Sequence, residues 1–101
     1  MINNRVETFI KEKAIQLGLI NVFSPKNTRE LIELLIEHQR KILGVDGIFV
    51  NANEIRPSME DSLLTHMFYD NDMSEEDIKK KIFQFIEQRS DKKDLFYEVV
   101  F

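Results

Sequence analysis

Apolar residues recur along this chain at the spacing of helices and then, at its end, at the spacing of a strand. Val6, Phe9, Ile10, Ala14 and Leu17 share one helical face, with Asn3 or Asn4 placed to cap the first amides. Gly18 is positioned as a left-handed stop, and Leu19–Phe23 reads as an extended connector closed by Ser24-Pro25. A second helix is expected from Asn27, whose side chain caps while Glu30 reaches back as the other half of a capping box. Its stripe is Leu31, Leu34, Leu35, His38 and Ile42, and Gly44 ends it.

Asp46-Gly47 is a turn signal, followed by Ile48-Phe49-Val50, a short apolar run suited to a buried strand. Asn51 to Pro57 reads as loop. Ser58 is then placed to cap a third helix in which Met59, Leu63, Leu64, Met67 and Phe68 share a face. After a break at Asp70–Asp72, Ser74 and Asp77 make a second capping box, and Met73 is set to staple onto Ile78. Ile78, Ile82, Phe85 and Ile86 form the buried stripe of this last helix, with acids at its start and Lys or Arg toward its end, as the helix dipole favours. Leu95, Tyr97, Val99 and Phe101 then alternate with Phe96, Glu98 and Val100, the period of a strand made of strong β formers. Ile48–Val50 is its expected partner and Leu19–Phe23 a candidate third strand. The prediction is an α+β fold, a helix-rich single domain over residues 1–101, with about four helices and a small sheet that includes the C-terminal strand.

Composition narrows the class. With 101 residues, 43% of them hydrophobic, the chain has material for one core but not two. The absence of cysteine excludes disulfides, thiolate zinc sites and thiol nucleophiles, and fits a reducing compartment. Met1 to Lys13 mixes Asn, Glu, Arg and Lys with scattered apolar residues, unlike a signal or transit peptide. The longest mostly apolar run, Leu17–Phe23, is broken by Gly18 and Asn21 and is too short to span a bilayer. A cytoplasmic protein is expected, without membrane association.

Charge is placed unevenly. Between Val45 and Asp77 stand nine acids and one base, Arg56, a local charge of −8 inside a chain whose net charge is −4. The flanks are slightly basic, seven bases against five acids before it and six against four after it. Such a field repels nucleic acid and anionic membrane and attracts a basic partner. Lys79-Lys80-Lys81 is the only basic run, and it follows Glu75-Glu76-Asp77 after one residue, Ile78, so helix-surface pairing explains it better than nucleic-acid binding.

Several motifs only look like chemistry. Asp70-Asn71-Asp72-Met73-Ser74 opens like a calcium loop, but Glu75 stands where the turn needs glycine and Lys81 where a bidentate carboxylate must close the shell. Asp61-Ser62-Leu63 matches the tripeptide around the prosthetic-group serine of acyl carrier proteins, in flanks that do not fit. His38 lies on an apolar stripe, and His66 lies near Glu60–Ser62, where an acid–base dyad is sterically conceivable. Glu30, Glu33 and Glu37 share a helix edge without the Glu-x-x-His of a diiron site. With no metal spacing and no nucleophile elbow, the reading is a non-enzyme without cofactor or metal.

One local run adds to this. Ile42-Leu43-Gly44-Val45-Asp46-Gly47 after a helix, then a capped acidic helix and a terminal apolar strand, resembles the immunity proteins of anticodon-cleaving tRNase colicins. The resemblance covers roughly residues 30–101. It departs from the family at Asn51–Leu64, which reads as loop and helix where the family has an extended, aromatic-bearing stretch. It implies an antidote that occupies the tRNA site of a nuclease toxin, with Asp46 near the interface.

The functional expectation is a small acidic inhibitor that binds and neutralises a basic nuclease domain by charge complementarity. Asp46, Glu54, Asp70, Asp72, Glu75 and Glu76 are its candidate partner-binding residues. The competing expectation is a phage- or plasmid-borne regulatory protein acting through its apolar C-terminal strand or an oligomer interface.

Overall fold

The terminal alternation forms the strand its pattern predicts: Leu95, Tyr97 and Val99 are buried, while Phe96 and Glu98 are half-buried on the other side. The computed structural model describes residues 4–101. In chain order the elements are α1 (Asn4–Lys13), β1 (Ile15–Leu17), β2 (Ile20–Val22), α2 (Pro25–Glu37), β3 (Gly44–Val50), β4 (Ile55–Leu64), α3 (His66–Asp70), α4 (Glu75–Glu87) and β5 (Leu95–Val100). Among the described residues the result is an α+β fold with four helices, an antiparallel sheet in the order β4-β3-β5, and a β1-β2 hairpin.

The core lies on one side of that sheet. Leu31, Ile32 and Leu35 of α2 and Ile78, Ile82 and Ile86 of α4 meet Val45, Leu95, Tyr97 and Val99, all in one buried cluster. Each such aliphatic side chain contributes about 1.5–3 kcal/mol when fully withdrawn from water. β5 pairs with β3 in register from Gly44↔Val100 to Phe49↔Leu95, and its other edge is held by a single bridge, Phe23↔Tyr97. The expected partner Ile48–Val50 is thus in place, within β3, whereas the candidate third strand Leu19–Phe23 pairs mainly with β1 and reaches β5 only at Phe23; the sheet's third strand is β4.

The helices keep their stripes but move their ends. α1 stops at Lys13, and Ala14–Leu17 turns into the hairpin, whose two-residue loop holds Gly18 at φ +61°. That conformation at the first loop position is the one glycine adopts freely, so Gly18 turns a hairpin rather than ending a helix. Asn4 is already helical, and Asn3 lies outside the described residues. α2 begins at Pro25, not Asn27: the Ser24 hydroxyl accepts from the Asn27 N–H at 3.2 Å, and proline suits the first turn. It ends at Glu37, where Gln39 takes φ +58°; Ile42 is buried but outside the helix, its N–H donating to Tyr69 Oη at 3.0 Å. α4 is capped by Ser74 as expected, at 3.1 Å from the Asp77 N–H, but no base stands in its last turn.

Residues 44–64 differ most from the sequence reading. Asp46-Gly47 is no turn; it lies inside β3. The helix expected from Ser58 is the long strand β4, and only His66–Asp70 is helical. The hairpin between β3 and β4 is closed by the Asn51 side chain, which accepts from the N–H groups of Asn53 and Glu54 at 2.8 and 3.0 Å. Asn51 N–H donates to the Glu54 carbonyl, so hydrogen-bonded pairs fall on Phe49↔Arg56, and Pro57, one step further, turns its missing N–H outward.

β4 does not stay regular. Its register jumps from Gly47↔Ser58 to Val45↔Leu63, so residues 59–62 bulge out opposite Asp46. The bulge turns the Asp61 carboxylate inward, where it accepts from Lys92 Nζ at 2.7 Å, Ser58 Oγ at 2.8 Å and Arg89 Nε at 3.0 Å. Arg89 also donates to the Glu60 and Phe85 carbonyls, both at 3.1 Å, and lies 3.7 Å above the Phe85 ring. Gly47 is what admits this arrangement, because a Cβ there would stand 2.3 Å from the Asp61 carbonyl oxygen. Burial alone raises the Asp61 pKa, but the hydrogen bonds and charges of Lys92, Ser58 and Arg89 outweigh it and hold the carboxyl below its ordinary 3.8.

A depressed acid pKa stabilises the folded state above the unfolded value and loses that contribution as pH falls through the folded one. Asp61→Asn is expected to cost about 2–3 kcal/mol at pH 7, less than a fully buried pair because Lys92 is partly exposed. Urea denaturation should show that cost shrinking below pH 4. Gly47→Ala should destabilise the protein at every pH.

Candidate functional site

Side chains on β3 alternate between the core and the opposite face of the sheet. Val45 and Phe49 point to the helices, and Asp46 and Ile48 point away from them. On β5 the same alternation sends Glu98 away from the core beside Tyr97 and Val99. The antiparallel register then sets Asp46 directly opposite Glu98. Like charges at such a position repel, typically by a few tenths to about 1 kcal/mol. Among the described residues neither carboxylate has an ion-pair partner. Burial, and then the nearby Asp46 charge, push the Glu98 carboxyl above its ordinary 4.5.

The two acids open onto a cavity of about 480 Å³. Its apolar wall comes from Ile20 of the hairpin, Ile48 of β3, and Pro57, Met59 and Leu64 of β4. Met59, at the tip of the bulge, is 93% exposed, and Leu64 58%. Ser58 and Ser62 also line it, but their hydroxyls are engaged. Ser58 donates to Asp61, while Ser62 donates to the Ser58 carbonyl at 2.7 Å and accepts from Gly47 N–H at 3.0 Å. Ile20 and Glu98 line a second cavity of about 430 Å³, so the groove continues between β2 and β5 toward Ile10, Leu19 and Phe101, with Glu7 and Lys11 of α1 also in its wall. Phe23, just after β2, bridges Tyr97, and β2 itself does not pair with β5; the groove lies where such pairing would have continued.

A third groove, about 530 Å³ between α1 and α2, is walled by Glu12, Glu30, Glu33 and Glu37 over Phe9 and Leu34. The shared helix edge of those glutamates is thus real. Arg5 stands in the same wall, 3.3 Å from Glu37, so that surface already holds its own cation.

The structure separates the six acids selected from the sequence. Asp46 lines the sheet-face cavity, and the other five do not. Glu54 closes the β3–β4 hairpin, 3.7 Å from Arg56. Asp70 ends α3, Asp72 occupies the following turn at φ +58°, and Glu75 and Glu76 stand in the first turn of α4, with Glu76 3.4 Å from Lys79. These last four form a separate acidic corner. The Asp61-Ser62-Leu63 tripeptide is the inner part of the bulge, and its serine is held by backbone groups rather than presented to solvent. His66 is exposed at the start of α3, and the hydrogen bonds of Glu60 to Ser62 go to Arg89, Lys92, Ser58 and Gly47. No group of three His, Asp or Glu able to hold a metal ion occurs among the described residues.

Glu98, Ile20 and Met59 were not selected from the sequence. The period of two at the chain's end did place Glu98 opposite the buried row. Only the register brings it to Asp46.

Comparison of the chain with family models, with curated proteins and with solved structures finds no match.

The raised Glu98 pKa carries a sign. The folded state holds this proton more tightly than the unfolded chain, so stability falls as pH climbs from 4.5 through the folded value. Glu98→Gln should therefore raise stability at pH 7.5 by up to about 1 kcal/mol. Thermal denaturation at pH 4 should show that advantage largely gone.

Proposed function

We propose that this protein is a small inhibitor of the immunity type, an antidote that binds a basic nuclease domain inside the cell and blocks its substrate cleft. The observation that carries the reading is the Asp46–Glu98 pair: two carboxylates set side by side at a cost to the fold, with no ion pair to either among the described residues, in a largely apolar groove. A partner's cation would relieve that repulsion on binding, whereas a solvated decoration has no need of such placement. A nuclease cleft is basic because it must hold phosphates, so facing carboxylates complement it and help fix register. The acidic corner at Asp70, Asp72, Glu75 and Glu76, with Glu54, supplies the longer-range field that steers encounter. Residues Ile55–Leu64 are extended here, as β4, and carry no aromatic side chain.

A second reading has an observation of its own. Leu19 is fully exposed, and Met59 and Leu64 are largely so, at the rim of a groove along β5. A regulatory protein that docks through this apolar surface would use the same face with little help from charge.

The two readings part on salt and on neighbourhood. An immunity protein should be encoded beside a toxin gene, and its affinity for that toxin's nuclease domain should fall steeply as salt rises. The double substitution Asp46→Asn, Glu98→Gln is expected to weaken binding by about 30-fold or more, mainly through faster dissociation. Charge reversal at Asp70, Asp72, Glu75 and Glu76 should chiefly slow association. Stopped-flow kinetics with the neighbouring gene's nuclease domain checks both, and unchanged inhibition by the double variant would overturn the reading.

A further inference from the structure

We infer that the groove over β3 and β5 receives an arginine from an extended segment of the partner, its guanidinium bridging Asp46 and Glu98; this rests on the inhibitor reading above. The groove is an apolar feature first, and its walls at Ile48, Pro57 and Met59 suit the methylene stem of a long cationic side chain. The charge that such a stem must carry is set by what remains unengaged. Ser58 and Ser62 already have partners, so the two carboxylates are the groups left to meet a ligand.

Their spacing chooses between cations. Residues opposed across antiparallel strands have Cα atoms about 4.5–5.5 Å apart, so the carboxylates project side by side rather than converging on one point. A planar guanidinium offers five N–H donors along separate edges and can present one edge to each acid. An ammonium is a compact charge that is best matched to one carboxylate at a time. The groove also has a direction. Past Glu98 it continues into the space between β2 and β5, where Ile10, Leu19 and Phe101 offer apolar contact to the next side chain, beside Glu7 and Lys11. An arginine followed by an aliphatic residue matches that order of acid pair and then apolar side chains.

Terminally blocked arginyl-leucine, lysyl-leucine and citrullyl-leucine dipeptides, titrated at low salt into the isotopically labelled full chain, test this directly. The arginyl probe should shift the methyl signals of Ile20, Ile48 and Met59 and the Glu98 amide. It should bind about fivefold or more tighter than the lysyl probe, and the uncharged citrullyl probe should leave those signals in place. Asp46→Asn with Glu98→Gln should abolish the arginyl response while the amide spectrum keeps its dispersion. Equal responses to arginyl and lysyl probes, or shifts centred away from the groove, overturn the arginine assignment. Toxin inhibition that still depends on Asp46 and Glu98 would, in that case, leave the inhibitor reading standing. Loss of the inhibitor reading alone would appear as an intact arginyl response with nuclease inhibition indifferent to both acids.

Discussion

The buried carboxylate of Asp61 constrains more of this structure than any other single group. A charge with 1% of its residue exposed has to be neutralised and hydrogen-bonded, and three donors from two distant parts of the chain converge on it. To bring the carboxylate inward, β4 must bulge. For the bulge to close on the sheet, the facing residue of β3 must have no side chain, which Gly47 satisfies. The bulge in turn lifts Met59 into solvent above the open face and orders the connection between α4 and β5 through Arg89 and Lys92. The geometry of the candidate site is thus downstream of an ion-pair network that takes no part in it.

That division separates what stabilises the protein from what it presents. Asp61 is an acid with every requirement met. Asp46 and Glu98 are half-buried acids set against each other, with no ion-pair partner among the described residues. The first kind of placement strengthens a fold, and the second weakens it slightly and is relieved by a ligand. Both kinds lie within or beside the acidic stretch, so the total charge of residues 45–77 is a poor guide to which acids matter. The apolar wall around the pair is equally informative, because a solvated acidic surface has no reason to be lined with Ile48, Pro57 and Met59.

The sequence was most legible where one period dominates. The stripes of α2 and α4, the Ser74 cap and the alternation of β5 follow from side-chain spacing alone. Residues 58–64 read as helix because Met59, Leu63 and Leu64 fall by coincidence in helical step with Met67 and Phe68, which do stand in α3. Met59 and Leu64 face solvent, Leu63 faces the core, and a bulge separates the first of them from the others. Asp46-Gly47 looks like a turn, but its glycine serves a close approach across strands, and composition does not distinguish the two uses. Half of the candidate site shared this fate. Asp46 was visible as an acid in a notable run, whereas Glu98 became its partner through a register set by long-range pairing.

Pro57 and the bulge have one more effect, on the outer side of β4. A strand that ends a sheet offers a row of outward N–H and C=O groups on which another chain can pair and grow. Here one of those donors is missing at Pro57, and a few residues later the backbone leaves the strand line altogether. A second copy arriving edge-on finds no straight template to extend. The same kink that seats a carboxylate inside the molecule therefore interrupts the free edge of β4 as a template for edge-on pairing.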